Sequence, residues 1–177
     1  MLLESERLIQ RRIGKEDADK LFDYRSDRVT NMYQGFIPTS LEQVERFLEG
    51  SATEINIPES RYQVGVYTKL SKKLIGDISL HFTGRENRQV EIGVTLKKDY
   101  QSNGYASEAL KVLLDYLFNE LDKHRVYGYI DPENVASMAL MKKLGFVKEA
   151  HFRQSYLLNG EWRDDTLYAL LKSDWMK

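Results

Sequence analysis

The chain has no cysteine. That removes disulfides, thiolate metal sites and cysteine nucleophiles together, and it fits a reducing cytoplasm. Proline is nearly as scarce, with three in 177 residues. No proline- or glycine-rich linker, repeat or low-complexity tract divides the sequence, so a single domain over 1–177 is expected. Neither sign of charge dominates: 26 Lys and Arg against 27 Asp and Glu leave −1, which argues against a general nucleic-acid or membrane partner. No apolar run approaches the ~18 residues of a membrane span. The opening MLLESERLIQRR is too charged for a signal peptide. His81, His124 and His151 lie far apart without ligand spacing, so no metal site is expected.

What is present is an ordinary apolar content of 42% with 30% charged residues, arranged in clear periods. RLIQRRI (7–13) reads as a strand and 15–27 as a helix with Ala18, Leu21 and Phe22 inward. Ser40 and Gln43 have capping-box spacing ahead of helical Leu41, Val44, Phe47 and Leu48. The period then changes to two. RYQVGVYT (61–68), LIGDISLHF (74–82) and VEIGVTL (90–96), separated by short polar turns, predict an antiparallel meander.

Residues 106–121 follow, with Ala106, Ala109, Leu110, Leu113, Leu114, Leu117, Phe118 and Leu121 at helical spacing. A strand, RVYGYID (125–131), comes next. A short helix is opened by Asn134 and closed by Lys142, Lys143 and Gly145. Two strand-like runs around Asn159-Gly160 predict a hairpin. The order implies an α/β fold, a mixed sheet with helices on both faces.

DYQSNGYASEAL (99–110) places small residues directly before the best helix. The first turn of a helix offers unpaired N–H groups and the positive end of its dipole. Gly104 and Ala106 would let a phosphate approach the backbone closely. The stretch is neither a Walker A loop nor G-x-G-x-x-G, and alone it is equally compatible with a plain turn.

Taken with DPENVASMALMKKLGF (131–146), however, it resembles the GNAT superfamily of acetyl-CoA-dependent N-acetyltransferases. The similarity is to the branch holding the ribosomal-protein-alanine and spermidine acetyltransferases, and the element order matches over roughly 8–175. The carrying motifs are Gln101-x-x-Gly104-x-Ala106, Asn134-x-x-Ser137 and Leu144-Gly145-Phe146. The resemblance implies that Gln101, Ser102, Asn103, Gly104, Tyr105, Ala106 and Ser107 hold the coenzyme A pyrophosphate. It also implies that strand 90–96 splays from 125–131, freeing Val94, Thr95 and Leu96 to pair with the pantetheine arm. Gly93 would make that departure cheap, unless it serves close packing.

The chemistry sets further demands. An alkyl amine of pKa ~10 is only about one part in a thousand neutral at pH 7, so a base must take its proton. The thioester oxygen wants an N–H donor. Without cysteine, direct attack in a ternary complex is the economical route. Glu91 is the first base candidate, with a salt-bridged strand residue as its alternative; Asp131 is a weaker one. Asn134 is both an N-cap and, by the resemblance, a coenzyme neighbour.

Ser137 is the candidate proton donor or thiolate partner, against a purely local hydrogen bond. Many relatives carry a tyrosine acid where this chain has Met141, which weakens the spermidine reading. Lys143 is a helix-dipole partner that also reaches toward a coenzyme phosphate. Tyr33 and Phe36 are acceptor-slot candidates or core anchors.

The expected function is transfer of acetyl from acetyl-CoA to a primary amine, either a peptide N-terminus or a small amine. Polyamine or aminoglycoside acetylation and a non-catalytic acyl-CoA-binding module are the alternatives. Assembly with copies of itself is left open.

Overall fold

The computed structural model describes residues 1–158 and 160–177. It contains strands β1 (Leu2–Glu4), β2 (Leu8–Arg12), β3 (Arg61–Thr68), β4 (Leu74–Thr83), β5 (Gln89–Leu96), β6 (Arg125–Ile130), β7 (Val147–Leu158) and β8 (Glu161–Leu171). The helices are α1 (Ala18–Arg25), α2 (Leu41–Glu49), α3 (Tyr105–Asp115), α4 (Val135–Lys143) and α5 (Lys172–Trp175). The strands form one sheet in the order β1-β2-β3-β4-β5-β6-β8-β7. Every neighbouring pair is antiparallel except β5–β6, which is parallel and joined through α3.

Helices cover both faces, as the mixed α/β reading expects. On one face, α3 buries Ala109, Leu110, Leu113 and Leu114 against Val64, Ile78, Leu80, Val90, Ile92 and Val126. Burying each leucine contributes about 1.5–3 kcal/mol, which makes this stripe the main anchor of the helix. On the other face, α1 and α2 pack Leu21, Val44 and Leu48 with Ile13, Tyr67 and Leu74. Ser40 caps α2 by accepting from the Gln43 N–H, and Gln43 Oε1 reaches back to the Thr39 N–H.

Four local features differ from the periodic reading. A short β1 pairs with β2 ahead of the expected first strand. The first helix opens as a 3₁₀ turn at 15–17 before α1. α3 ends at Asp115, and a π turn carries the chain to Glu120. This wider turn shifts the phase of the last apolar residues while keeping Leu117 and Phe118 buried. The last four-residue helix, α5, carries no apolar stripe long enough to announce itself. In the terminal hairpin β7 pairs with β8; Asn159 lies outside the described residues, and Gly160 has φ +86°.

One irregularity positions the site. β5 and β6 pair only at Gln89↔Arg125, Val90↔Val126 and Glu91↔Tyr127. Beyond Glu91 the two strands part, while β5 stays registered with β4 through Gly93, Val94, Thr95 and Leu96. A gap therefore opens inside a continuous sheet.

Candidate active site

A cleft of about 500 Å³ occupies this gap and runs to the start of α3. Its walls are the end of β5, the 100–107 loop and helix start, the outer turns of α4 and the segment around Tyr33. The backbone of β5 is asymmetric here. Lys97 donates its N–H to Ile75 O at 2.8 Å, so odd-numbered residues of β5 bond to β4 and even-numbered ones turn their main-chain groups into the gap. Val94 thus offers both an N–H and a C=O to the cleft. Leu96 offers its N–H alone, because its C=O accepts from Gln101 Nε2 at 2.9 Å. Thr95, expected alongside them, instead directs its main chain to β4.

The side chains of β5 alternate the other way. Val90 and Ile92 enter the core under α3, whereas Glu91, Gly93 and Thr95 share the opposite face. A Cβ at Gly93 would meet nothing within 4 Å; the glycine leaves open space and does not serve close packing. Thr95 is buried, its Oγ1 has no partner among the described residues, and it lines the cleft.

The loop before α3 is held in a strained shape. Ser102 has φ +60° and Gly104 φ +80°, a left-handed conformation that suits glycine and costs a serine ~1 kcal/mol. Asn103 Nδ2 donates to Gln101 O at 2.8 Å, so its side chain braces the loop and does not line the cleft. No side chain caps α3. The first helical bond is Glu108 N–H to Gly104 O at 3.0 Å. Among the described residues the N–H groups of Tyr105, Ala106 and Ser107 have no acceptor. Such unpaired amides at a helix N-terminus are an anion seat.

Across the gap, Asn134 Oδ1 accepts from the Ser137 N–H at 3.1 Å and caps α4. Among the described residues the Asn134 amide NH₂ has no partner. Ser137 lines the cleft, and its hydroxyl makes no hydrogen bond within the described residues; the alternative of a local first-turn bond is not realised. Lys143 also lines the cleft. Met141 points away, buried in the core with its Cε close to Gly128.

Tyr33 lines the cleft, and its hydroxyl approaches Glu133 O at 3.4 Å from the other side of the gap. Phe36 does not reach the cleft. It stacks on Phe47 with centroids 4.3 Å apart and belongs to the core beneath α2, so the acceptor-slot expectation for it is corrected.

Glu91 lies outside the cleft wall, opposite His81 in register, with Oε2 3.4 Å from His81 Nδ1. Asp131 is occupied: it accepts from the Glu133 N–H, Tyr156 Oη and Arg163. Asp165 was not anticipated. It shares the Glu91 face through the register of β6 and β8 and has no cationic partner among the described residues. Burial first, then the charges of Asp131 and Glu91, push its carboxyl up to about 6 against the N–H groups of Thr166 and Ile130.

Thr30, Gln34, Tyr100 and Leu140 also line the cleft. Nothing in their spacing distinguished them. The segment carrying Thr30 to Gln34 is fixed from below by Arg25, which donates to both Asp77 oxygens and reaches Gln34 Oε1.

A helix start with unpaired amides, set beside a sheet parted after three paired residues, is the geometry that the resemblance implied. A family model of the acetyltransferase (GNAT) domain matches residues 7–147. The chain belongs to the GNAT acetyltransferase family.

Two curated relatives match over nearly the full length of the chain. The chain is 30% identical over 174 residues to the N-acetyltransferase p20 of Bacillus licheniformis, covering 98% of this chain and 97% of that one. It is 26% identical over 179 residues to the ribosomal protein uS5-alanine N-acetyltransferase of Escherichia coli, covering 98% and 92%. Among solved structures, a GNAT-family acetyltransferase from Bacillus anthracis matches with TM-score 0.87 at 28% identity, covering 98% and 99%. The spermidine N-acetyltransferase of Vibrio cholerae, in complex with CoA and spermine, shares the fold with TM-score 0.85 at 22% identity, covering 98% and 100%. This GNAT chain is accordingly an acetyl-CoA-dependent N-acetyltransferase. No helix among its described residues is long and apolar enough to cross a membrane.

Proposed function

We propose that the cleft seats acetyl-CoA with its pyrophosphate at 101–107 and its pantetheine arm along Val94 and Leu96, and that a primary amine attacks from the Glu91 face. The observation that carries this reading is the continuity of two unsatisfied backbone rows. The N–H groups of Tyr105, Ala106 and Ser107 lie at one end of the cleft that Val94 and Leu96 line. A ligand with phosphates at one end and amides along its length satisfies both rows. Gly104, the Asn134 amide and Lys143 fit the same ligand, and its bulk suits a cleft of about 500 Å³.

Bound there, acetyl-CoA supplies an activated acetyl thioester. The protein's work is to orient it, remove a proton from the amine and provide for the departing sulfur. The Val94 N–H faces the gap and is the donor available to the carbonyl oxygen. Glu91 stands about 7 Å along the strand from Gly93. It therefore takes the amine proton through an intervening water in the open space above Gly93, and His81 holds its carboxylate. Ser137, with its hydroxyl unengaged, donates toward the sulfur.

The acceptor is a primary amine borne by a peptide N-terminus or a small molecule, in line with the acceptors named for the uS5-alanine and spermidine relatives. Asp165, which has no cationic partner among the described residues, and the exposed ring of Tyr129 share the Glu91 face, which favours a cationic amine.

The test is a thiol-release assay with acetyl-CoA over a panel of peptide N-termini, polyamines and aminoglycosides. Amine-dependent release, with acetylated product identified by mass, is expected. Tight coenzyme binding without turnover on any of these amines would overturn the enzymatic reading in favour of an acyl-CoA-binding module.

A further inference from the structure

α3 carries an acidic residue, Glu108, in its first turn. A carboxylate there normally steadies a helix. In a helix whose N-terminus must receive a pyrophosphate it is a liability, because it repels the ligand and cancels the positive end of the dipole. Glu108 is not left free. Ser5 Oγ donates to Oε1 at 2.6 Å, the Arg7 backbone N–H donates to the same oxygen at 2.8 Å, and Arg7 Nε donates to Oε2 at 2.6 Å. Burial alone would raise the Glu108 carboxyl; the Ser5 and Arg7 donors outweigh it and hold the carboxyl below its ordinary range. At neutral pH the negative charge is present and matched.

The rest of the same guanidinium addresses the loop. Arg7 Nη1 donates to Asn103 O at 3.2 Å, its plane lies over the Tyr105 ring at 4.2 Å, and Nη2 stands 3.5 Å from where a Cβ at Gly104 would be. A plain tether between the β1–β2 turn and α3 would need only the Glu108 contact. The contacts to 103 and 105 lie on either side of the glycine that opens the helix.

We propose that Arg7 is a positioning residue for the coenzyme seat. It neutralises Glu108 and fixes residues 103–105, so that the N–H groups of α3 face a phosphate in an uncompensated positive field. This rests on the reading of 101–107 as that seat. Nothing in the strand-like SERLIQRR marks the role, because it appears only when the first turn of the sheet folds beside α3.

The test uses wild type, Arg7→Ala, Arg7→Lys, Glu108→Gln and the Arg7→Ala/Glu108→Gln pair. Coenzyme A affinity is read by calorimetry. On the same preparations KM and kcat are read for acetyl-CoA and for S-acetylpantetheine, which lacks the phosphates. Arg7→Ala is expected to weaken coenzyme A by about five- to tenfold and to raise KM for acetyl-CoA while kcat at saturation stays within about twofold. KM for S-acetylpantetheine should hardly move. Removing the stranded carboxylate in the paired variant should recover most of the loss, and Arg7→Lys should recover part.

An unchanged coenzyme affinity in Arg7→Ala would overturn the proposal. So would a paired variant as weak as the single one, or an equal rise in KM for both donors, since each marks a tether without an electrostatic role. A wild type that does not distinguish the two donors would remove the seat itself; discrimination that survives Arg7→Ala would remove only Arg7.

Discussion

Arg25 and Asp77 form an ion pair that sees almost no water: Nη2 lies 2.6 Å from Oδ2, with side chains 6% and 1% exposed. Tyr24 Oη adds a third donor to Asp77 at 2.6 Å. Removing one partner strands a buried charge. Arg25→Met should therefore lose about 3–5 kcal/mol of stability, measured by chemical denaturation. Arg25→Met/Asp77→Leu should lie closer to wild type than either single variant. Because Arg25 supports the segment bearing Tyr33 and Gln34, the folded fraction of Arg25→Met should also show a raised KM for the amine.

Gly104 occupies a left-handed backbone as the N-cap of α3, directly before the amides of its first turn. Gly104→Val should weaken acetyl-CoA at least tenfold, or about 1.4 kcal/mol, with the circular dichroism spectrum retained. Unchanged affinity in the folded variant would place the phosphates elsewhere.

Direct transfer requires both substrates to be bound together. Initial rates varied in both should give intersecting lines, and no acetylated protein should build up with acetyl-CoA alone. Parallel lines, with an acetyl adduct that turns over when amine is added, would establish a covalent route instead.

Glu91→Gln should lower kcat by roughly 10²-fold and steepen the alkaline rise of the pH–rate profile, as hydroxide replaces the missing base. Ser137→Ala should reduce kcat with little change in coenzyme affinity. Both are read beside the thermal midpoint. A variant that keeps its kcat leaves the mechanism, and a loss confined to stability marks a structural residue.

Asp165 gives a pH dependence with a definite sign. Its carboxyl is pushed up to about 6 by burial and then by Asp131 and Glu91, whereas an aspartate in an unfolded chain titrates near ~3.9. Between these values the native state holds a proton that the unfolded state has released. Stability therefore falls as pH rises from about 4 to about 6, and the deficit persists above. Asp165→Asn should raise the thermal midpoint near neutral pH by a few degrees, about 1 kcal/mol after allowing for its partial exposure. Near pH 4 it should raise it little. Equal gains at both pH values would refute the assignment.

The sheet and its helices were legible because the α3 stripe is buried along one side and Val90 and Ile92 of β5 are buried where Glu91 and Gly93 are not. β3 and β4 are buried on both faces over 62–67 and 74–78, and their apolar runs between polar turns, not a one-sided burial, marked them. β1 is too short to show a period, and the π turn after Asp115 keeps apolar residues at spacings that also fit an α-helix. At the candidate site, the helix start with unpaired amides was readable from Gly104 and the small residues around it, since a main-chain seat needs little else. Thr95 was misread in part, because the direction of its main chain depends on strand register, which a single strand does not reveal. Phe36 stood open between slot residue and core anchor because its stacking partner Phe47 lies on the next helix, and the core-anchor reading is the one that fits. Arg7, Asp165 and Gln34 gave no signal: each matters through a neighbour many residues away in the chain.

The parity of β5 has a consequence for how such proteins diversify. On the proposed reading, β5 meets the donor through the main chain of its even-numbered residues and the acceptor through the side-chain face of its odd-numbered ones. On the same reading, a substitution at 91, 93 or 95 changes what the acceptor touches without altering the main-chain groups that Val94 and Leu96 offer along the edge. Exchange of acceptors can therefore proceed by ordinary side-chain drift while the donor is retained at no cost in sequence. On that reading, a chain similar both to a ribosomal-protein enzyme and to a spermidine enzyme keeps one half of its chemistry fixed and leaves the other free to wander.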